Sequence, residues 1–275
     1  MKIELAKKHG FCFGVKRAIQ IAEDHKNFFT FGPLIHNNLE IDRLQKQFNV
    51  GLKNDINEFH NSDRLIIRTH GIEKKNLNHL KKQNIDFIDA TCPFVTKLQE
   101  IVRDMSQDDY DIVIFGDKDH PEIKGVQSYS VKKANVVLNL DELQKLKLSN
   151  KIALVAQTTR KIESFQILAN YLIRYYKEVR VFNTICNATF ENQISARELA
   201  KKSDIMIIIG GKNSSNTKQL VTICEDECDT CFHIESEKDL ESEWFKNKET
   251  CGITAGASTP DWIIKNVYKK INGYF

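Results

Sequence analysis

The chain contains little that would break it into separate bodies. Its 275 residues include only four prolines and twelve glycines, and no Pro-rich or Gly/Ser-rich stretch marks a linker. Any internal division must therefore show as a repeating pattern and not as a shift in composition. No apolar run reaches the ~18 residues of a membrane-spanning helix. The opening stretch, Met1 to Phe11, is too polar and too short for a signal peptide. Charge of one sign is also missing: 40 basic residues face 37 acidic ones, a net of +3. That balance argues for neither a nucleic-acid nor a membrane partner. No Gly-Lys-Ser/Thr stands at Walker-loop spacing, and no flavin or nicotinamide fingerprint is found. What remains, 41% hydrophobic and 28% charged residues, is ordinary for a globular protein long enough for one large domain or two to three small ones. The seven cysteines are odd in number and scattered. In a reducing compartment, here expected to be the cytoplasm, they read as thiols or metal ligands and not as disulfides.

Short apolar runs alternate with helix-like stretches. Ile3-Glu4-Leu5, Leu65–Arg68, Phe87–Asp89, Ile112–Phe115, Ile152–Ala156, Val181–Ile185, Ile205–Ile209, Phe232–Ile234 and Gly252–Thr254 have the length and β-branched content of buried strands. Helical periodicity follows over Val15–His25, Pro93–Met105, Phe165–Tyr176, Gln193–Lys201, Thr217–Cys224 and Pro260–Lys270. The alternation predicts an α/β fold with mainly parallel sheets, in which ligands bind at the carboxyl ends of the strands.

Three cysteines punctuate this pattern. Cys12, Cys92 and Cys186 each follow an apolar run and open a helix-like stretch, roughly 80 to 95 residues apart. They suggest three small α/β modules, 1–91, 92–186 and 187–275, closing around a shared centre. A helix N-terminus favours the thiolate, the form that ligates iron. Three thiolates leave a tetrahedral or cubane site one ligand short, open to substrate. Spacing alone fits equally well three buried cysteines used as small hydrophobes. A second group, Cys224, Cys228 and Cys231, resembles the cluster loop of radical-SAM enzymes. Its neighbours Glu225, Asp226, Glu227 and Asp229 disfavour thiolates, so a surface helix-to-strand turn is expected there. Cys251 reads as a core thiol.

The other polar residues of interest also fall at strand ends. His36, His70 and His120 occupy turns beside apolar runs, and Glu122 follows His120 across Pro121. Histidine suits diphosphate binding or proton delivery, and a desolvated carboxyl group suits proton donation. Thr158 lies in Gln157-Thr158-Thr159. The turns holding Ser214-Ser215-Asn216 and Gly256-Ala257-Ser258-Thr259 resemble anion cradles, while single turns of this kind also serve as plain N-caps. His25, His60, His79 and His233 read as surface residues.

Taken in order, these motifs resemble one family: the 4-hydroxy-3-methylbut-2-enyl diphosphate reductases (LytB/IspH) of isoprenoid biosynthesis. The matching stretches are Gly10-Phe11-Cys12-Phe13-Gly14-Val15, Ile35-His36-Asn37, Thr69-His70-Gly71, Asp89-Ala90-Thr91-Cys92-Pro93, His120-Pro121-Glu122, Gln157-Thr158-Thr159, Thr184-Ile185-Cys186-Asn187-Ala188-Thr189, Lys212-Asn213-Ser214-Ser215-Asn216 and Thr254-Ala255-Gly256-Ala257-Ser258. The resemblance implies a trefoil of three α/β modules around an iron–sulfur cluster. Cys12, Cys92 and Cys186 would ligate a 4Fe–4S cluster, and loss of the iron that lacks a cysteine would leave a 3Fe–4S form. It assigns substrate contact to His36, His70, His120, Thr158, Ser214, Ser215, Asn216 and Ser258, and proton delivery to Glu122 with His120 and Thr158. It implies two-electron reductive dehydroxylation of the allylic diphosphate to isopentenyl and dimethylallyl diphosphates, the last step of the non-mevalonate pathway. The electrons would come from an external donor of ferredoxin or flavodoxin type.

Several positions depart from the family pattern. His9 and Lys16 stand where an arginine and an acidic residue are more usual, and Asn192 where an arginine often precedes Gln193. Asp117 and Asp119 also vary the loop before His120. Two other readings stay open: a radical-SAM-type enzyme using Cys224, Cys228 and Cys231, and a metal-free phosphometabolite-binding protein whose cysteines are core residues.

Overall fold

The computed structural model describes residues 1–274. The chain falls into two compact units, one formed by residues 1–16, 35–43 and Asn187 onward, the other by residues 17–34 and 44–186. All twelve strands lie in three four-stranded sheets, and every pairing is parallel.

The second unit holds two of the sheets. One has the order β5 (Asp86–Asp89), β4 (Arg64–Ile67), β2 (Phe29–Phe31), β3 (Gly51–Lys53); the other β9 (Glu178–Val181), β8 (Lys151–Ala156), β6 (Asp111–Phe115), β7 (Asn135–Val137). In both, the chain lays down an inner strand, then one edge, then the second inner strand, then the opposite edge. The sheet of the first unit has the order β1 (Lys2–Leu5), β12 (Thr250–Ala255), β10 (Ile205–Ile209), β11 (Cys231–Ile234). It repeats the same plan, except that its last edge strand comes from the start of the chain.

The inner strands are mainly apolar beyond their first residues because both faces are covered. Side chains alternate across a strand. Ile205, Ile207 and Ile209 pack with Ile263, Ile264 and Val267 of α10 (Asp261–Asn272). Met206 and Ile208 point the other way, onto Ala196 and Leu199 of α8 (Asn187–Ala200) and Leu220 of α9 (Ser215–Glu225). In the second unit Val113, Phe115, Ile152 and Leu154 face Phe165, Leu168 and Leu172 of α7 (Ile162–Tyr175). Ile112, Ile114, Ala153 and Val155 face Leu98 and Val102 of α4 (Pro93–Gln107) and Ile123 and Val126 of α5 (Pro121–Gln127). The remaining helices are α1 (Phe13–Asp24), α2 (Asn38–Phe48), α3 (Lys74–Lys82) and α6 (Leu140–Gln144).

Three expectations need correction. The strand expected over Val181–Ile185 ends at Val181. Beyond Phe182 the ladder is replaced by a side chain: the Thr184 hydroxyl accepts from the Ala156 N–H at 2.8 Å and donates to the Ala156 carbonyl at 2.6 Å. Helix α8 accordingly starts at Asn187, six residues before the periodicity indicated. The Cys224–Cys231 segment is a helix-to-strand turn, but not a surface one: Cys224 and Cys228 are buried in the core, and Cys251 is a core thiol as expected.

Candidate active site

The same turn recurs in each sheet. A glycine follows the first inner strand, and its N–H donates to the last carbonyl of the adjoining edge strand: Gly32 to Lys53 at 2.8 Å, Gly116 to Val137 at 3.0 Å, Gly210 to Ile234 at 2.9 Å. Five residues beyond those strands stand His36, His120 and Ser214. The turns after the second inner strands carry Thr69-His70, Thr158-Thr159 and Ala257-Ser258. Each helix-opening cysteine donates its backbone N–H to one of those turns: Cys92 to the Thr69 carbonyl at 3.0 Å, Cys186 to Thr158 at 3.0 Å and Cys12 to Ala257 at 3.2 Å. Helices α4, α8 and α1 begin at the next residue in all three cases. The local backbone therefore treats the three cysteines alike, which spacing could not establish.

In the second unit the chemistry gathers on Glu122. This carboxyl group, in the first turn of α5, is only 2% exposed. The Thr158 N–H donates to its Oε1 at 2.8 Å, and the Thr158 hydroxyl donates to Oε2 at 2.8 Å. Burial nonetheless pushes the acid upward; the two Thr158 bonds and the Arg160 charge pull the other way without prevailing. Glu122 is thus not the exposed carboxylate that a first helical turn ordinarily carries. His120 caps α5, its Nδ1 accepting from the Glu122 N–H at 3.2 Å. That bond needs the Nδ1 lone pair, so the ring carries its proton on Nε2. The His70 and His120 rings meet edge to face, centroids 5.4 Å apart. Two supporting residues were not foreseen. The Gln157 side chain accepts from the Asp117 N–H at 3.0 Å and holds the loop before His120. The half-buried Arg160 lies over the Phe115 ring and places a positive charge near Glu122.

In the first unit Ser258, Ser214 and His36 come together. The Ser258 hydroxyl donates to the His36 carbonyl at 3.3 Å and stands 3.4 Å from the Ser214 hydroxyl. Ser214 caps α9 and Ser215 is its first residue. The N-cap reading therefore holds locally, since the Thr217 N–H donates to Ser214 Oγ at 3.3 Å. Capping does not account for Asn216. It is 4% exposed, and both its amide oxygen and its amide nitrogen lack a hydrogen-bond partner. Each such atom costs ~1–3 kcal/mol until something polar reaches it. Gly211 has no room for a side chain, because a Cβ there would lie 2.4 Å from the His36 carbonyl oxygen. His233, expected on the surface, is half-buried, and its Nε2 bonds the Gly210 carbonyl at 2.9 Å. A histidine in an edge strand carried no signal of that role.

The donor chemistry of the cysteines separates them into two groups. Cys12, Cys92 and Cys186 are half-exposed and form no disulfide. Burial holds Cys224 and Cys251 at about 12 and pushes Cys231 up as well. Thiols held protonated are poor metal ligands, whereas three accessible thiols at equivalent helix starts fit a thiolate-ligated cluster.

Known proteins match the chain over nearly its whole length. The family model described as LytB protein matches residues 3–272. The 4-hydroxy-3-methylbut-2-enyl diphosphate reductase of Sulfurimonas denitrificans is 64% identical over 271 residues, 98% of each chain. The reductase of the same description from Campylobacter hominis is 64% identical over 272 residues, 99% of each chain. Among solved structures, (E)-4-hydroxy-3-methyl-but-2-enyl diphosphate reductase, described as the terminal enzyme of the non-mevalonate pathway, matches with a TM-score of 0.72 and 40% identity over 99% of both chains. The E-1-hydroxy-2-methyl-but-2-enyl-4-diphosphate reductase of Plasmodium falciparum matches with a TM-score of 0.91 and 27% identity, over 98% of this chain and 87% of that one. Among the described residues no helix is long and apolar enough to cross a membrane.

Proposed function

The chain belongs to the LytB protein family, and from that membership we infer that it reduces 4-hydroxy-3-methylbut-2-enyl diphosphate to isopentenyl and dimethylallyl diphosphates. The observation that carries the reading is the buried Glu122–Thr158 pair, tied through the Thr158 carbonyl to the backbone of Cys186. The reaction breaks one C–O bond and forms one C–H bond, consuming two electrons and two protons and releasing water.

Cys12, Cys92 and Cys186 would hold a single 4Fe–4S cluster. When bound, that group supplies one-electron redox chemistry beside the substrate. The protein's own residues supply the rest. The Thr158 N–H can only donate, so Glu122 Oε1 must remain an acceptor and the acid proton belongs on Oε2. There it donates to the Thr158 hydroxyl, which frees that hydroxyl's own hydrogen to turn toward a departing oxygen. Release of a proton to the substrate through Thr158 is thus a reversal of one hydrogen bond, with no movement of heavy atoms. The Nε2–H of His120 would add a second donor beside it. Ser214, Ser215, Asn216 and Ser258, with His36 and His70, would grip the diphosphate. The two open valences of Asn216 match a phosphate oxygen and its hydrogen-bonding neighbour. The electrons come from an external one-electron carrier of ferredoxin or flavodoxin type in the cytoplasm.

Anaerobic purification with iron and sulfide analysis, followed by an assay with reduced viologen and the allylic hydroxy-diphosphate, tests the reading. A brown protein that oxidises viologen only when substrate is present is expected. A colourless protein, inert after cluster reconstitution, would falsify it and favour the metal-free binding protein.

A further inference from the structure

Three of the departures from the family pattern line one cavity. His9, Lys16 and Asn192 all border an opening of about 290 Å³ in the first unit, with Lys7, Lys8, Gly10, Phe11, Cys12, Ala188 and Glu191. Its charge is one-sided. Lys7, Lys8 and Lys16 are exposed and face a single acid, Glu191, while the whole chain balances 40 bases against 37 acids. Lys8 and Glu191 form an ion pair at 3.3 Å that is largely exposed at both ends. Such a pair contributes little and opens easily. Asn192 is buried and Lys16 exposed, so the positive charge of the opening lies on its rim.

The rim is also held in place. The Cys12 N–H donates to Ala257, the Gly10 N–H to Ala255 and the Lys8 N–H to the Ser195 hydroxyl. Gly10 sits at φ +72°, a conformation other residues adopt only under strain, and a Cβ there would lie 3.0 Å from Ile264 Cδ1 and 3.3 Å from the Thr259 carbonyl oxygen. Beside Cys12, Phe13 leaves 65% of its surface exposed. A fixed, basic rim with one exposed aromatic suits a small, transient, electrostatically steered contact.

We propose that the basic mouth over Cys12, rimmed by Lys7, Lys8 and Lys16, is the docking site for an acidic one-electron carrier protein. The proposal rests on the reading of Cys12 as a cluster ligand. Two carriers in succession, each losing one electron, supply the two electrons of one turnover. A carrier docked here delivers charge next to a ligand of the cluster.

The test compares the intact holoenzyme with a Lys7→Glu/Lys8→Glu/Lys16→Glu variant and with a charge-matched control, Lys81→Glu/Lys82→Glu/Lys145→Glu. Turnover is followed with reduced viologen, and separately with a reduced ferredoxin and a reduced flavodoxin, both of net negative charge, from low to high salt. Binding of each oxidised carrier to the cluster-free protein is titrated in parallel. The rim variant should lose about tenfold or more in carrier-supported kcat/KM at low salt, with a flattened salt dependence and weakened binding. Its viologen-supported turnover should stay at the level of the control. Equal carrier kinetics in rim variant and control, a matching loss with viologen, or turnover with viologen but with neither carrier would each overturn the docking site alone. Absence of viologen turnover in the unaltered protein would overturn the reductase reading and the docking site with it.

Discussion

Replacing Glu122 with Gln separates the acid from its scaffold. The amide keeps the shape of the carboxyl group and both contacts to Thr158. Its oxygen still accepts from the Thr158 N–H, and its nitrogen donates to the Thr158 hydroxyl, which turns round to accept. Folding should therefore suffer little, whereas Glu122→Ala would strand two buried donors at ~1–3 kcal/mol each. Turnover should fall by about 10²–10⁴-fold, the usual loss when an acid catalyst is removed, with substrate affinity and iron content retained. The pH response adds a second readout. Burial raises the Glu122 pKa above the ordinary glutamate value, so the group favours the folded state most at low pH. That contribution is lost as pH rises through the raised value, because the buried group must then ionise. The Gln variant cannot ionise. Its melting temperature relative to the unaltered protein should therefore improve steadily as pH increases above the normal glutamate range, and its residual rate should not show the high-pH decline of the parent. Viologen-coupled kinetics and thermal melting across pH measure both effects. Near-parental turnover in the Gln variant, or melting curves that track each other at every pH, would refute the role given to this carboxyl group.

Other outcomes follow from the same structure. Asn216→Leu removes two buried amide atoms that have no partner, so the ligand-free protein should melt at the same or a higher temperature while inorganic diphosphate binding, read by calorimetry, weakens at least tenfold. A variant that loses stability and keeps its affinity would contradict this. Cys228→Ala should leave iron content and turnover unchanged, since Cys228 packs in the core with its thiol donating to the Ser203 carbonyl at 3.3 Å. A modest loss of thermal stability is the expected signal, and loss of iron would revive the radical-SAM reading.

Much of the fold was legible because buried parallel strands announce themselves. Ile205–Ile209 is five apolar residues in a row, and the structure keeps those bounds. The three-residue strands Phe29–Phe31, Gly51–Lys53 and Asn135–Val137 are too short to show a period, and tertiary pairing alone creates them. The end of β9 was misjudged because a threonine hydroxyl can stand in for ladder bonds, which no hydrophobic pattern reveals. The polar turns were legible as turns, through their glycines and hydroxyls. The burial of Glu122 was not, since a carboxylate two residues into a helix is ordinarily exposed. The supporting residues Gln157, Arg160 and His233 act through geometry that has no local sequence signature.

One feature of the first unit bears on how the chain is made. Strand β1 leaves the ribosome first, but its partner β12 begins only at Thr250. At ~5–20 residues per second, the two are separated by on the order of ten to fifty seconds of synthesis. Throughout that interval Lys2–Leu5 has no sheet to join, and Cys12 has no Ala257 carbonyl to fix it. The sheets of the second unit can close while translation continues. The sheet that anchors Cys12 cannot, so Cys12 is fixed in place only after residues 250–257 have been made. The same arrangement makes β1 a cover strip. Cutting away the first few residues would turn β12, buried along Cys251–Ala255, into an unprotected sheet edge, an invitation to pair with another molecule.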